Sequence, residues 1–356
     1  MDGSAVRATA LAAGVLLLLA GCSSGGSGGS GGDGPDGPDG PDGPDGPDRG
    51  GRSAVSAPLG QRPKGDVPYW VDPDSTAARE AAVHADRGDL DSARLLRKIA
   101  EQPAASWIGP DDPKAQAEAV TTSATGAGRD ALLVLYNIPH RDCGQYSKGG
   151  AADGDAYRTW IDEVAQGIGA RRATVILEPD AVLHLADGCT PEAFREERYG
   201  LLGAAVERLG RQPGTSVYLD AGNPGWRTPD ALFEPLRRAG LAQADGFAVN
   251  VSNFFPTAES VDFGKRLSAR VGGKPFVVDT SRNGNGAYTS GDPGENWCNP
   301  PGRALGEAPT VRTGDPLVDA YLWIKRPGES DGECRGGPRA GEWWAEYAVG
   351  LARNGS

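Results

Sequence analysis

Histidine and methionine are nearly absent from this 356-residue sequence, which holds three of the first and one of the second. His84, His140 and His184 are too few and too scattered for a His-ligated zinc site. Basic residues are short as well: 36 Lys and Arg stand against 48 Asp and Glu, a net charge of −12. A nucleic-acid binder needs a basic face to neutralise phosphates, so that class of partner is excluded. No CxxC pair occurs, and no GxGxxG or GxxxxGK[ST] follows an early strand run, so neither a dithiol metal site nor a nucleotide-phosphate cradle is expected. Nothing in the sequence calls for a cofactor or a metal. The apolar stretch at 8–21, ATALAAGVLLLLAG, is shorter than the roughly 20 residues that cross a bilayer core. What is plentiful is Gly and Pro, 54 and 28 residues, and Trp, 8 residues against 7 Phe.

The plentiful glycine has a local origin. The stretch at 8–21 suits the h-region of a signal peptide, and Leu19-Ala20-Gly21-Cys22 resembles the bacterial lipobox, in which the Cys is lipidated and becomes the mature N-terminus. From Gly34 to Asp48 the triplet Gly-Pro-Asp repeats five times between Gly/Ser flanks. With no large apolar side chain, this segment has nothing to bury, and its Asp charges and prolines extend it. The expected organisation is a lipoprotein signal at 1–21, a tether at 22–65 and one catalytic-sized domain at 66–356, with Cys22 as the lipidation site. Such a chain is exported and held at the cell membrane by its lipid, or secreted.

Beyond the tether, short apolar runs recur: LLVLYNIP (132–139), TVILEPD (174–180), VYLDAG (217–222), FAVNVSN (247–253), PFVVDT (275–280) and AYLWIK (320–325). Helical patterns lie between most of them. In AYRTWIDEVAQGIG, Trp160, Ile161, Val164 and Ile168 fall on one helix face, and 191–210, 229–243 and 257–271 read likewise. Alternating strand and helix predicts an α/β fold with a parallel sheet. Nearly every strand run ends in polar or acidic residues: Asp142, Asp180, Asp220, Asn253, Arg282, then Lys325, Glu329 and Asp331. Convergence of strand ends on one mouth favours a (β/α) barrel over a doubly wound sheet. Four cysteines remain outside the signal and allow three pairings; the shortest loops join Cys143 to Cys189 and Cys298 to Cys334. Acids at the mouth, with Trp70, Trp226 and Trp297 as flat apolar surfaces, suit polysaccharide hydrolysis, in which one carboxyl protonates the glycosidic oxygen and indoles stack on sugar rings. Calcium binding by the same acids, or plain solvated loops, would also use such residues.

The local sequences are more specific. Tyr136-Asn-Ile-Pro-His-Arg-Asp142-Cys143-Gly144 and Val175-Ile-Leu-Glu178-Pro-Asp180-Ala-Val182 resemble the two signatures of glycoside hydrolase family 6, the cellulase family of endoglucanases and cellobiohydrolases. Tyr218-Leu-Asp220-Ala-Gly222, Asn250-Val-Ser-Asn253, Trp297-Cys298-Asn-Pro300 and Trp323-Ile-Lys325-Arg-Pro-Gly-Glu329-Ser-Asp331-Gly332 follow in family order. The resemblance implies a distorted, incomplete (β/α) barrel and inverting hydrolysis of β-1,4-glucan. It makes Asp180 the general acid, Asp142 the carboxylate that raises the acid's pKa and organises water, Asp331 the base, acting directly or through a second water, and Tyr136 the residue that distorts the reacting sugar. Asp220, Asn223, Asn253, Lys325 and Glu329 are implied as substrate-binding residues, and Trp70, Trp226 and Trp297 as platforms. Two positions depart from the family: Asn223 stands where a His is common, and Lys148 where a small Ser often holds the water.

The remaining candidates read more plainly. His140 and His184 are expected to be hydrogen-bonded loop or core residues, Trp107 and Trp160 to be packing, and Trp343 and Trp344 to lie on a C-terminal helix. Asp279 is expected either to contact sugar or to pair with Arg282, and Glu178 to support its strand end. The spans from Asp142 to Asp180 and from Trp297 to Asp331 leave little chain for a roof, which favours an open-cleft, monomeric endoglucanase over a cellobiohydrolase. A non-catalytic glucan-binding lipoprotein would be expected to lack Asp180 or Asp142; both are present.

Overall fold

A run such as Ala131-Leu-Leu-Val-Leu135 has apolar side chains on both faces of a strand, so it is stable only where both faces are covered. The computed structural model, which describes residues 67–355, satisfies that demand with seven parallel strands flanked by helices. The expected signal, tether and Cys22 lie outside the described residues. The strands are β1 (Ser106–Ile108), β2 (Ala131–Leu135), β3 (Ala173–Leu177), β4 (Thr215–Asp220), β5 (Gly246–Val249), β6 (Phe276–Asp279) and β7 (Val318–Leu322), adjacent in space in that order. All six sequence runs contribute a strand; β1 is additional to them.

The helices are α1 (Thr76–Asp86), α2 (Leu90–Ala100), α3 (Pro113–Gly126), α4 (Gly154–Ile168), α5 (Ala181–Ala186), α6 (Glu192–Gly210), α7 (Pro229–Arg238), α8 (Thr257–Arg270) and α9 (Ala345–Asn354). Most cross over between successive strands, while α1, α2 and α9 pack together through Ala77, Ala81, Leu96, Ile99, Ala348 and Leu351. In α4 the Asp153 carboxylate caps the N-terminus by accepting from the Ala156 N–H at 2.8 Å, and Trp160, Ile161, Val164 and Ile168 are buried as the periodicity predicts. Trp344 is the N-cap of α9 and Trp343 precedes it, bridging Glu329, so neither lies within the helix as expected. None of the described helices is long and apolar enough to cross a membrane.

Side chains alternate between two cores with the strand period of two. Leu132, Val134, Ile176, Ala248, Val277 and Ala320 fill the inside of the curled sheet. Leu133, Leu135, Val175, Leu177, Val249 and Val278 face the helices. The sheet does not close by a ladder. Between β1 and β7 the seam is pinned by the Ala105 N–H donating to the Trp323 carbonyl at 2.9 Å and the Trp107 indole N–H donating to the Ile324 carbonyl at 3.0 Å. The architecture is therefore a distorted, incomplete barrel.

Candidate active site

At the C-terminal ends of parallel strands the ladder runs out and backbone N–H groups need other acceptors. Three buried carboxylates supply them. Glu178, just past β3, accepts from the Asn137 N–H at 3.0 Å and the Ile138 N–H at 3.0 Å, and so holds the segment that leaves β2. Asp220, the last residue of β4, accepts from the Asp180 N–H at 2.8 Å. Asp279, the last residue of β6, accepts from Ser281, Ser252, Ile324 and Lys325. Burial pushes the carboxyls of Glu178 and Asp220 up to about 7, against the opposing pull of these N–H donors, and raises Asp279 as well.

Asp180 follows Glu178 by two residues and occupies the N-cap position of α5 with φ +69°. Its carboxyl is raised well above the usual range, first by burial, then by the neighbouring charges of Asp220, Asp142 and Asp187. Asp142 begins a single 3₁₀ turn after β2, also with positive φ, and its carboxylate accepts from the Ser147 N–H. Burial raises Asp142 too, with the Ser147 N–H and Arg141 opposing. Tyr136, at the exit of β2, feels the same field: burial, then Asp180 and Asp142, hold its phenol protonated. Tyr136 and Asp180 thus both lie in the field of Asp142, the arrangement that keeps a proton on the Asp180 carboxyl.

Asp331 is built differently. Arg282, fully buried, grips it two-pronged at 2.9 Å and 3.0 Å, the Lys325 ammonium lies 3.7 Å away, and the Asn299 N–H donates at 3.0 Å. Arg282 also donates to the Ser252 carbonyl at 2.6 Å and lies over the Phe254 ring at 4.3 Å. Burial lowers the Lys325 pKa, while the Asp331 charge opposes the loss of its proton. One site therefore contains carboxyls pushed toward protonation and a carboxylate matched to two cations.

The aromatic residues need one exchange. Trp70 lies at the opposite end of the sheet, because Tyr69 bridges Asp130 and Trp70 itself donates to the Asp130 carbonyl, ahead of the first residue of β2. It lines a pocket with Glu101, Gln102 and Arg129, so a platform in the cleft does not fit its position. Trp107, expected as packing, is in β1 beside the acids: its ring meets Tyr136 edge-on at 5.8 Å, and the Lys325 ammonium lies 6.0 Å from its centre. Its sequence signal is weak, since only Ser-Trp-Ile forms the strand around it. Trp226 and Trp297 are half-buried. Trp226 donates to Asp187 at 3.0 Å and meets His184 edge-on; Trp297 donates to the Gly294 carbonyl and neighbours Tyr146 at 6.1 Å.

Other expected contacts turn inward. Asp220 is 1% exposed beneath Asp180, so direct sugar binding does not fit it. Asp279 neither faces sugar nor pairs with Arg282: its oxygens are taken by backbone N–H groups, and Arg282 pairs with Asp331. Asn223 is buried and accepts from the Gly225 N–H, Asn253 accepts from the Phe254 N–H, and Glu329 pairs with Arg326 at 2.7 Å. Lys148 is exposed and His140 stacks on Phe194. The disulfides are Cys143–Cys189 and Cys298–Cys334, each fastening a loop that carries one of the acids.

Comparison with known proteins agrees with this geometry. The family model described as "Glycosyl hydrolases family 6" matches residues 64–355. Endoglucanase A of Cellulomonas fimi is 46% identical over 292 residues, which are 80% of this chain and 61% of that protein. Endoglucanase 1 of Streptomyces halstedii is 47% identical over 292 residues, 79% of this chain and 87% of that protein. The chain therefore spans about three fifths of the length of the first relative and most of the second. Among solved structures, the endoglucanase Cel6 of Mycobacterium tuberculosis, in complex with methyl-cellobiosyl-4-deoxy-4-thio-β-D-cellobioside, is 43% identical. It superposes with a TM-score of 0.76, covering 82% of this chain and 98% of that one.

Proposed function

The chain belongs to glycosyl hydrolases family 6, and we propose that it hydrolyses internal β-1,4-glucosidic bonds of cellulose or a related β-glucan, with inversion at the anomeric carbon. The observation that carries this reading is the Asp180 carboxyl, raised by burial and by Asp220 and Asp142 at the mouth of a barrel that also holds an ion-paired Asp331. Asp180 protonates the leaving glycosidic oxygen. Asp142 sustains that proton and orders water at the reacting carbon. Asp331 receives the proton released by the attacking water, directly or through a second water. Tyr136 presses the reacting ring out of its relaxed chair, and Trp107, Trp226 and Trp297 offer faces for neighbouring sugars. Lys325 and Glu329 line the same mouth as polar binding groups.

Endo action is supported by the short segments around the acids and by the endoglucanase names of the relatives. In this reading the domain acts as a monomer outside the cell, held at the membrane by a lipid on Cys22 across the tether at 22–65. Carboxymethyl-cellulose should lose viscosity faster than it gains reducing ends, and Asp180→Ala should lower kcat by about 10²–10⁴-fold. Full activity in Asp180→Ala would refute the acid. NMR of the first-formed product should show the α anomer. Release of cellobiose alone, without loss of viscosity, would favour a cellobiohydrolase. Cys22→Ala should free the protein from the membrane fraction.

A further inference from the structure

Asp279 stands apart from the other buried strand-end acids, because four backbone N–H groups converge on it from three segments. Its Oδ1 accepts from Ser281 at 3.0 Å and Ile324 at 3.3 Å, and its Oδ2 accepts from Ser252 at 2.9 Å and Lys325 at 3.0 Å. These segments leave β5, β6 and β7, where the sheet no longer pairs them. The side chain is wholly buried.

What those segments carry gives the carboxylate its meaning. Ser281 precedes Arg282, which grips Asp331 at 2.9 Å and 3.0 Å. Lys325 places its ammonium 3.7 Å from the same carboxylate. Ser252 supplies the carbonyl that takes the remaining reach of the Arg282 guanidinium at 2.6 Å. Every cation facing Asp331 is therefore held, through its own or its neighbour's backbone, by one carboxylate that faces no solvent.

We propose that Asp279 is a positioning residue of the glycosidase reaction, fixing the backbones of Lys325 and of the turn before Arg282 so that both cations meet Asp331 in one geometry. The inference rests on the reading of Asp331 as the group that receives the water's proton. Both oxygens are needed. An amide offers one acceptor, and its NH₂ would face either the Ser252 and Lys325 donors or the Ser281 and Ile324 donors. Either orientation releases a segment that bears a cation, so no flip of an Asn side chain restores the site.

Asp279→Asn tests this with a soluble cellooligosaccharide, and Asp279→Glu, which keeps the charge but shifts the acceptors by one methylene, is the second variant should the first not fold. The expected result is a fall in kcat of roughly ten- to hundredfold, with KM within about threefold of the wild type. A crystal structure of the variant is expected to show the Arg282 or Lys325 contact with Asp331 lengthened. A purely structural role would instead lower the melting temperature and the active fraction while leaving kcat per folded molecule and those contacts unchanged, and that outcome overturns the proposal. Wild-type protein inactive on every β-glucan would overturn the proposed function; the contacts to Asp331 in the variant structure would still decide the role of Asp279.

Discussion

Asp180 and Asp220 share a bond and a repulsion: the Asp180 N–H donates to the Asp220 carboxylate at 2.8 Å, while the Asp220 charge raises the affinity of Asp180 for its proton. Removing the second charge should therefore expose its part in the chemistry. In Asp220→Asn the alkaline limb of kcat is expected to move to lower pH, because burial still raises Asp180 but a like charge is gone. A pH profile of the variant checks this, and an unmoved limb would show that Asp220 has no part in holding the proton, leaving burial, Asp142 and Asp187. The two tryptophans that exchanged places give a paired measurement. Trp107→Ala should raise KM for cellooligosaccharides roughly two- to tenfold through lost ring stacking, whereas Trp70→Ala, at the far end of the sheet, should leave both constants unchanged. The exchange has a physical cause. Whether an aromatic residue reaches the mouth depends on which end of a strand it occupies, and Trp70 lies before its neighbouring strand begins while Trp107 pairs with Val134 inside one.

Among the elements, the strands with long apolar runs and the helices between them were legible, whereas α1 and α2, which precede the first of those runs, were not. Strands β2 to β6 read as apolar runs because helices cover one face and the barrel interior the other, while β7 carries the exposed Asp319. Helices α4, α6, α7 and α8 follow from apolar spacing. β1 has three residues and no β-branched run, and it forms because it pairs with β2, with Ala105 and Trp107 bonding to the exit of β7 on its other side, contacts that local sequence does not record. α5 has six residues, and the tertiary position of Asp180 decides where it starts. The acidic motif positions were legible, but the inward turn of Asp220 and Asp279 was not, since a carboxylate at a strand end looks the same in sequence whether it meets a sugar or a neighbour's N–H. The Cys298–Cys334 bond closes a loop with a sequence separation of 36 residues around the segment that leads to Asp331. Cys298→Ser with Cys334→Ser should lower unfolding free energy by about 2–4 kcal/mol, read by denaturant titration.

For the molecule as a whole, the buried acids give stability an unusual pH dependence. Glu178 and Asp220 bind protons more tightly when folded, near 7, than their ordinary values of 4.5 and 3.8. Their contribution is fully present below those ordinary values and is lost as pH rises through about 7. His184 opposes them, since burial lowers it from 6.5 to about 4, so its contribution is lost as pH falls across that window. Asp142, Asp180 and Asp279 are raised in the same direction as Glu178 and Asp220, so the carboxyls outweigh His184 and leave a net fall in stability as pH rises toward about 7. Thermal unfolding should occur at a higher temperature at pH 5.5 than at pH 8, and Glu178→Gln should flatten the difference. The seam between β1 and β7 ties the rim of the site to one side chain. A collar closed by a ladder spreads its load over many bonds, whereas this one closes on two, from the Ala105 N–H to the Trp323 carbonyl and from the Trp107 indole N–H to the Ile324 carbonyl. Trp107 thus acts as a clasp beside Tyr136 and Lys325, and the ring of strands is fastened at the mouth by an indole rather than by backbone alone.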